Sequence, residues 1–82
     1  MILQVRTYKT RSGGSKLSGR NDYIKLLPET AEERSLLVQR RKAGLPAEHH
    51  GSGDWRRAVE DLREAARAID LHFKEDWKEL TI

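Results

Sequence analysis

Cysteine is absent from the chain, which removes disulfides, thiolate nucleophiles and cysteine-bound metals from its chemistry. No apolar run approaches the roughly 18 residues of a membrane-spanning helix. Residues 1–6 are too short and too polar a start for a signal peptide, so a soluble, cytoplasmic chain without a membrane partner is expected. Large apolar residues are also scarce. Leu, Ile, Val and Phe total 18 of 82 residues, just above the range in which disorder is the default. A chain of this length buries only about 60–65% of its unfolded surface. One domain spanning residues 1–82 with one thin core follows, and without disulfide or metal staples the usual remaining support is a second copy. A homodimer is therefore expected.

Acidic residues are nearly missing from the first 25 positions, where Asp22 alone stands against Arg6, Lys9, Arg11, Lys16, Arg20 and Lys25. The remaining residues carry ten bases and twelve acids, so the overall charge of +3 hides a basic head on a slightly acidic body. A field with two sides of that kind suggests an anionic partner.

The pattern predicts a small α+β domain: an N-terminal antiparallel β-hairpin with a long basic loop, then two helices. Residues 2–9 alternate, with Leu3, Val5 and Thr7 on one face and Gln4, Arg6 and Tyr8 on the other, the period of a half-buried strand. Residues 23–27 return to β-formers, with Ile24 and Leu26 opposed to Tyr23 and Lys25. The simplest pairing makes residues 2–27 a hairpin whose Gly- and Ser-rich tip is far longer than the usual two to five residues. Thr30 and Glu33 have capping-box spacing, Arg40, Arg41 and Lys42 suit a helix C-terminus, and Gly44 suits a left-handed cap. A helix over 31–43 follows, then a linker over 44–53. From Trp55 the apolar positions Val59, Leu62, Ala66, Ile69 and Phe73 recur at spacings of three and four, and a second helix is expected over 55–79. Such a helix would be ~37 Å long, longer than a globule of this size. Either it breaks near residues 70–72, or its far half, with Ile69, Phe73, Trp77 and Leu80, meets a second copy or another protein.

Nothing in the sequence argues for catalysis. The Gly-rich segment lacks a phosphate-loop signature and the serines lack a partner base. Adjacent His49 and His50 would point in opposite directions in an extended segment, a poor chelate, so neither a metal nor a cofactor is expected. His72 with Asp76 four residues on would suit a general base or, more simply, a helix-surface ion pair; a ribonuclease-like activity through His72 is the enzymatic alternative. The order strand, Pro28, helix, Gly44, helix resembles that of ribbon-helix-helix repressors and antitoxins. The long second linker and the extra N-terminal strand depart from that pattern, and no family is assigned.

The functional expectation is a non-enzymatic, nucleic-acid-binding regulatory protein. Arg6, Lys9, Arg11, Lys16, Arg20 and Lys25 would meet phosphates, and Tyr8 and Tyr23, at the feet of the loop, would stack on bases. The alternative is a protein-interaction module, an inhibitor, antitoxin or adaptor, that meets a larger protein through the C-terminal helix or through the basic loop on an acidic surface.

Overall fold

The computed structural model describes residues 1–9, 23–50 and 55–81. Four strands and two helices follow in the order β1 (Ile2–Lys9), β2 (Tyr23–Leu27), α1 (Ala31–Lys42), β3 (Glu48–His50), α2 (Trp55–Ile69) and β4 (Lys74–Thr81). They form a small α+β domain with one sheet, ordered β3-β2-β1-β4. β1 and β2 pair antiparallel, with Leu3 opposite Leu26 and Val5 opposite Ile24, so their apolar residues share a face. β3 joins β2 antiparallel, and β4 joins the other side of β1 in parallel. β3 and β4 therefore run the same way at opposite edges, connected by α2 crossing the sheet.

The core lies between the sheet and the helices. Met1, Leu3, Val5, Ile24 and Leu26 come from the sheet side, Val59, Leu62, Ala65 and Ala66 from α2, with Leu37 and Ala47 completing it. α2 buries a continuous stripe against β1, β2 and β3. α1 buries only Leu37, in keeping with its narrow apolar face, and leaves Val38 exposed.

Local signals explain the ends of α1. Thr30 Oγ1 accepts the Glu33 N–H at 3.1 Å, one half of a capping box. The reciprocal half is redirected: the Glu33 carboxylate accepts the Glu29 N–H at 2.8 Å and the Met1 ammonium, also at 2.8 Å. The same ammonium reaches Glu29 at 2.7 Å and Asp70 at 3.2 Å, tying the start of β1 to the start of α1 and the end of α2. Burial opposes its charge, but the three carboxylates outweigh that and lift its pKa from 8.0 to about 10. At the far end of α1, Gly44 takes φ 78° and the Leu45 N–H reaches back to the Arg40 carbonyl at 2.9 Å, closing the helix with a left-handed cap.

Two expectations are corrected. The second helix does not run over 55–79; it ends at Ile69, and residues 74–81 form a strand. Asp70 makes the break. Its Oδ1 accepts the His72 N–H at 3.0 Å and its carbonyl accepts the Phe73 N–H at 3.1 Å, a side-chain-supported turn that competes with further helix. The Lys74 N–H then bonds to the Met1 carbonyl at 3.0 Å and opens the ladder with β1. The stretch 44–53 is not linker throughout either, since Glu48–His50 pair with β2. As a result His72 and Asp76 do not share a helix face: His72 sits in the turn, and Asp76, on β4, binds Arg6.

Candidate nucleic-acid interface

Because both helices contribute to one core, the other face of the sheet carries no helix among the described residues. The ladder registers arrange that face in rows across the strands. One row reads His50, Tyr23, Arg6, Lys78; the next reads Glu48, Lys25, Gln4, Asp76; the third reads Leu27, Ile2, Lys74. Every one of these residues is half-buried or exposed. Period-two alternation produces this division: the residues between them on β1 and β2 (Leu3, Val5, Ile24, Leu26) are buried. Four bases stand against two acids on the face, so it is net positive.

The first row holds the recognisable chemistry. The Tyr23 and His50 rings lie 5.1 Å apart between centroids and tilted by 50°. His50 Nε2 lies 3.2 Å from Glu48 Oε2, which orients the imidazole beside the phenol. Arg6 follows, but its guanidinium is largely committed: Nη2 donates to Asp76 Oδ2 at 2.9 Å, while Nη1 donates to the Asp76 and Val5 carbonyls at 2.9 and 3.0 Å. Its side chain is only 17% exposed. Arg6 thus stitches β1 to β4 and is poorly placed to be a free phosphate contact. Lys78 closes the row, and Lys25 and Lys74 extend the positive charge through the next two.

Of the residues the sequence singles out, Arg6, Tyr23 and Lys25 are brought together on this face. Tyr8 and Lys9 occupy the end of β1, in register with Leu80 and Thr81. Arg11, Lys16 and Arg20 lie outside the described residues. Chain connectivity joins their segment to the strand ends that carry the aromatic row, after Lys9 and before Tyr23. Sequence reasoning missed His50, Lys74 and Lys78. The last two were assigned to a helix, where they would have faced elsewhere. His50 reaches the face only through the pairing of β3 with β2, which sets it opposite Tyr23, and no local signal in the sequence marks it.

The proposed interface residues do not form one helical stripe. Ile69 closes α2 and Phe73 sits in the turn, both half-buried against the core. Trp77 lies on β4 on the helix side of the sheet, and Leu80 occupies a ladder position opposite Tyr8. Trp77 is 48% exposed, packed edge-on to Trp55 at 6.3 Å between centroids, with the Arg63 guanidinium 5.9 Å above its ring. Arg63 also grips Glu75 with two hydrogen bonds, Nε to Oε2 at 2.7 Å and Nη2 to Oε1 at 2.9 Å, and Trp77 Nε1 donates to Glu75 Oε1 at 2.8 Å. This clamp fixes β4 to α2.

Among the described residues no group of three His, Cys, Asp or Glu is placed to hold a metal ion, and no helix is long and apolar enough to cross a membrane. No protein family, curated protein or solved structure matches this chain.

Proposed function

We propose that the protein binds single-stranded nucleic acid on the open face of its sheet and acts by binding, without catalysis. The observation that carries this reading is the row His50, Tyr23, Arg6, Lys78 on the face that carries no helix among the described residues. Two neighbouring rings offer a stacking platform for unpaired bases, and base–aromatic stacking contributes about 1–3 kcal/mol per base. Lys25, Lys74 and Lys78 supply phosphate contacts around the rings, while Arg6 holds the strand carrying two of those lysines in register. The basic segment joined to the same end of the sheet adds Arg11, Lys16 and Arg20 as further phosphate contacts. A flat sheet presenting rings suits splayed bases better than a duplex, whose bases are already stacked.

Fluorescence anisotropy with labelled single-stranded RNA and DNA across a salt series tests it. Affinity is expected to fall with salt with a log–log slope of about −2 to −4, the signature of three to six neutralised phosphates on a single strand. Tyr23→Ala is expected to weaken binding roughly 5- to 100-fold without changing that slope, because stacking releases few counterions. Lys25→Ala is expected to reduce the slope by about 0.7. Absence of binding at low salt, or binding indifferent to Tyr23, refutes the reading.

A further inference from the structure

The two edges of the sheet differ in a way the core does not require. The β3 edge is three residues long, too short to recruit another strand. The β4 edge is eight residues long, without proline, and among the described residues no strand pairs with its outer side. A long regular edge of this kind is a template for strand addition.

Backbone geometry says which groups are on offer. The Lys74 N–H points to the Met1 carbonyl, so by alternation Lys74, Asp76 and Lys78 spend their peptide groups on β1. Glu75, Trp77 and Glu79 turn theirs outward. An antiparallel partner strand must therefore set these three residues opposite outward-facing residues of its own. For β4 paired antiparallel with itself, only registers that oppose odd to odd positions satisfy this. Placing Lys78 opposite Lys78 brings like charges together at the two-fold axis, and placing Asp76, already held by Arg6, opposite its copy sets Lys74 opposite Lys78 on both sides of the axis. Placing Trp77 opposite Trp77 sets Asp76 opposite Lys78 twice. Those two pairs fall at the non-hydrogen-bonded positions, where opposing Cα atoms approach to ~4.5 Å and side chains interact most closely. The two remaining like-charged pairs, each Glu75 opposite Glu79, are relieved because Arg63 already neutralises Glu75.

We propose that the protein forms a two-fold dimer by antiparallel pairing of β4 with β4 of a second copy, Trp77 opposite Trp77 and Asp76 opposite Lys78. About six interchain backbone hydrogen bonds join two four-stranded sheets into one of eight. This register keeps both helix layers on the same side, so the two open faces merge on the other. It also covers an open apolar groove of about 260 Å³, lined by Trp55, Val59 and Trp77 with Arg56, Glu60 and Arg63, by continuing it into its counterpart across the axis. Exposure of Trp77 in the single chain thereby acquires an occupant. The dimer is independent of nucleic-acid binding: either reading stands if the other fails.

Charge exchange at the paired positions provides the test, in the absence of nucleic acid. Asp76→Lys makes positions 76 and 78 both basic and Lys78→Asp makes them both acidic, so each variant repels its own copy and attracts the other. Light scattering is expected to show a dimer for the native chain at concentrations on the order of 100 μM. Each variant alone is expected to dissociate at least 10-fold more readily, and an equimolar mixture to dimerise again. Hydrogen exchange on the native chain gives a second readout that needs no variant. The Glu75 and Trp77 amides gain protection as protein concentration rises, while the Asp76 and Lys78 amides, bonded to β1, stay protected throughout. A monomeric native chain, a dimer indifferent to both substitutions, or Glu75 and Trp77 amides that exchange freely at every concentration overturns the proposal.

Discussion

Arg63→Ala isolates the contact that holds the edge strand, and its cost follows from the geometry. The guanidinium meets Glu75 with two hydrogen bonds, Glu60 with another, and covers the Trp77 ring at 5.9 Å. A charge-assisted hydrogen bond contributes about 1.5–3 kcal/mol when well sheltered. The Arg63 and Glu75 side chains are 30% and 29% exposed, so solvent screening brings the pair to roughly 1–2 kcal/mol. Loss of the arginine stem and its cation–π contact over Trp77 adds about 0.5 kcal/mol. Urea unfolding at neutral pH should therefore show a loss of roughly 1.5–2.5 kcal/mol, a large fraction of the stability of so small a domain. Arg63→Lys should recover less than half, because an ammonium cannot reproduce the fork. Arg57→Ala is the control: Arg57 faces Asp61 from 3.8 Å with 75% of its side chain exposed, and the expected cost is below ~0.5 kcal/mol. Acidity adds a check on sign. The hydrogen bond from Arg63 holds the Glu75 carboxyl below its usual value of 4.5, against burial and with help from Trp77. A depressed carboxylate pKa contributes stability above the unfolded value and loses it as pH falls through the folded one. The gap between native and Arg63→Ala proteins should accordingly narrow below about pH 4. A pH-independent gap, or a cost no larger than that of Arg57→Ala, refutes the clamp.

Two further outcomes follow from the core and from the buried ammonium. Leu62→Ala, at a position 2% exposed under the sheet, should cost about 2–4 kcal/mol in urea unfolding and is refuted by a loss under ~1 kcal/mol. The Met1 ammonium has a folded pKa raised from 8.0 to about 10, so its contribution is complete below the unfolded value and disappears as pH rises through the folded one. Between roughly pH 8 and 10.5 the native chain should lose about 1–2 kcal/mol, after discounting for partners that remain partly solvated. Glu33→Gln should flatten that alkaline limb, and an unchanged limb contradicts the assignment.

The hairpin, the first helix and the first half of the second helix were readable because each rests on a local signal with one period. Alternation of Leu3 and Val5, the Thr30 cap and the left-handed Gly44 all act within a few residues. β4 was hidden for an equally physical reason. A spacing of four, from Phe73 to Trp77, keeps two residues on the same face of a helix and also of a strand, because four is both about one helical turn and an even number. Lys, Glu and Leu then tip propensity toward helix, and only the long-range ladder to β1 reverses it. Asp76 at the would-be apolar seam and Asp70 as a turn-former were the local hints. β3 carries no such hint: three residues, two of them histidine, become a strand only because β2 has an unsatisfied edge. The site was half legible for the same reason. Arg6, Tyr23 and Lys25 come from strands the sequence declares, whereas Lys74, Lys78 and His50 reach that face through strands it conceals.

In the proposed mode of binding, nucleic acid contacts the sheet face that carries no helix among the described residues. Mapping backbone amide NMR shifts during titration with a short single-stranded oligonucleotide tests it most directly. Perturbations are expected to concentrate at Tyr23, Lys25, His50 and Lys78, with α1 and α2 silent beyond their ends. Perturbations centred on the exposed sides of α1 or α2, with the His50–Tyr23 row unmoved, would contradict it.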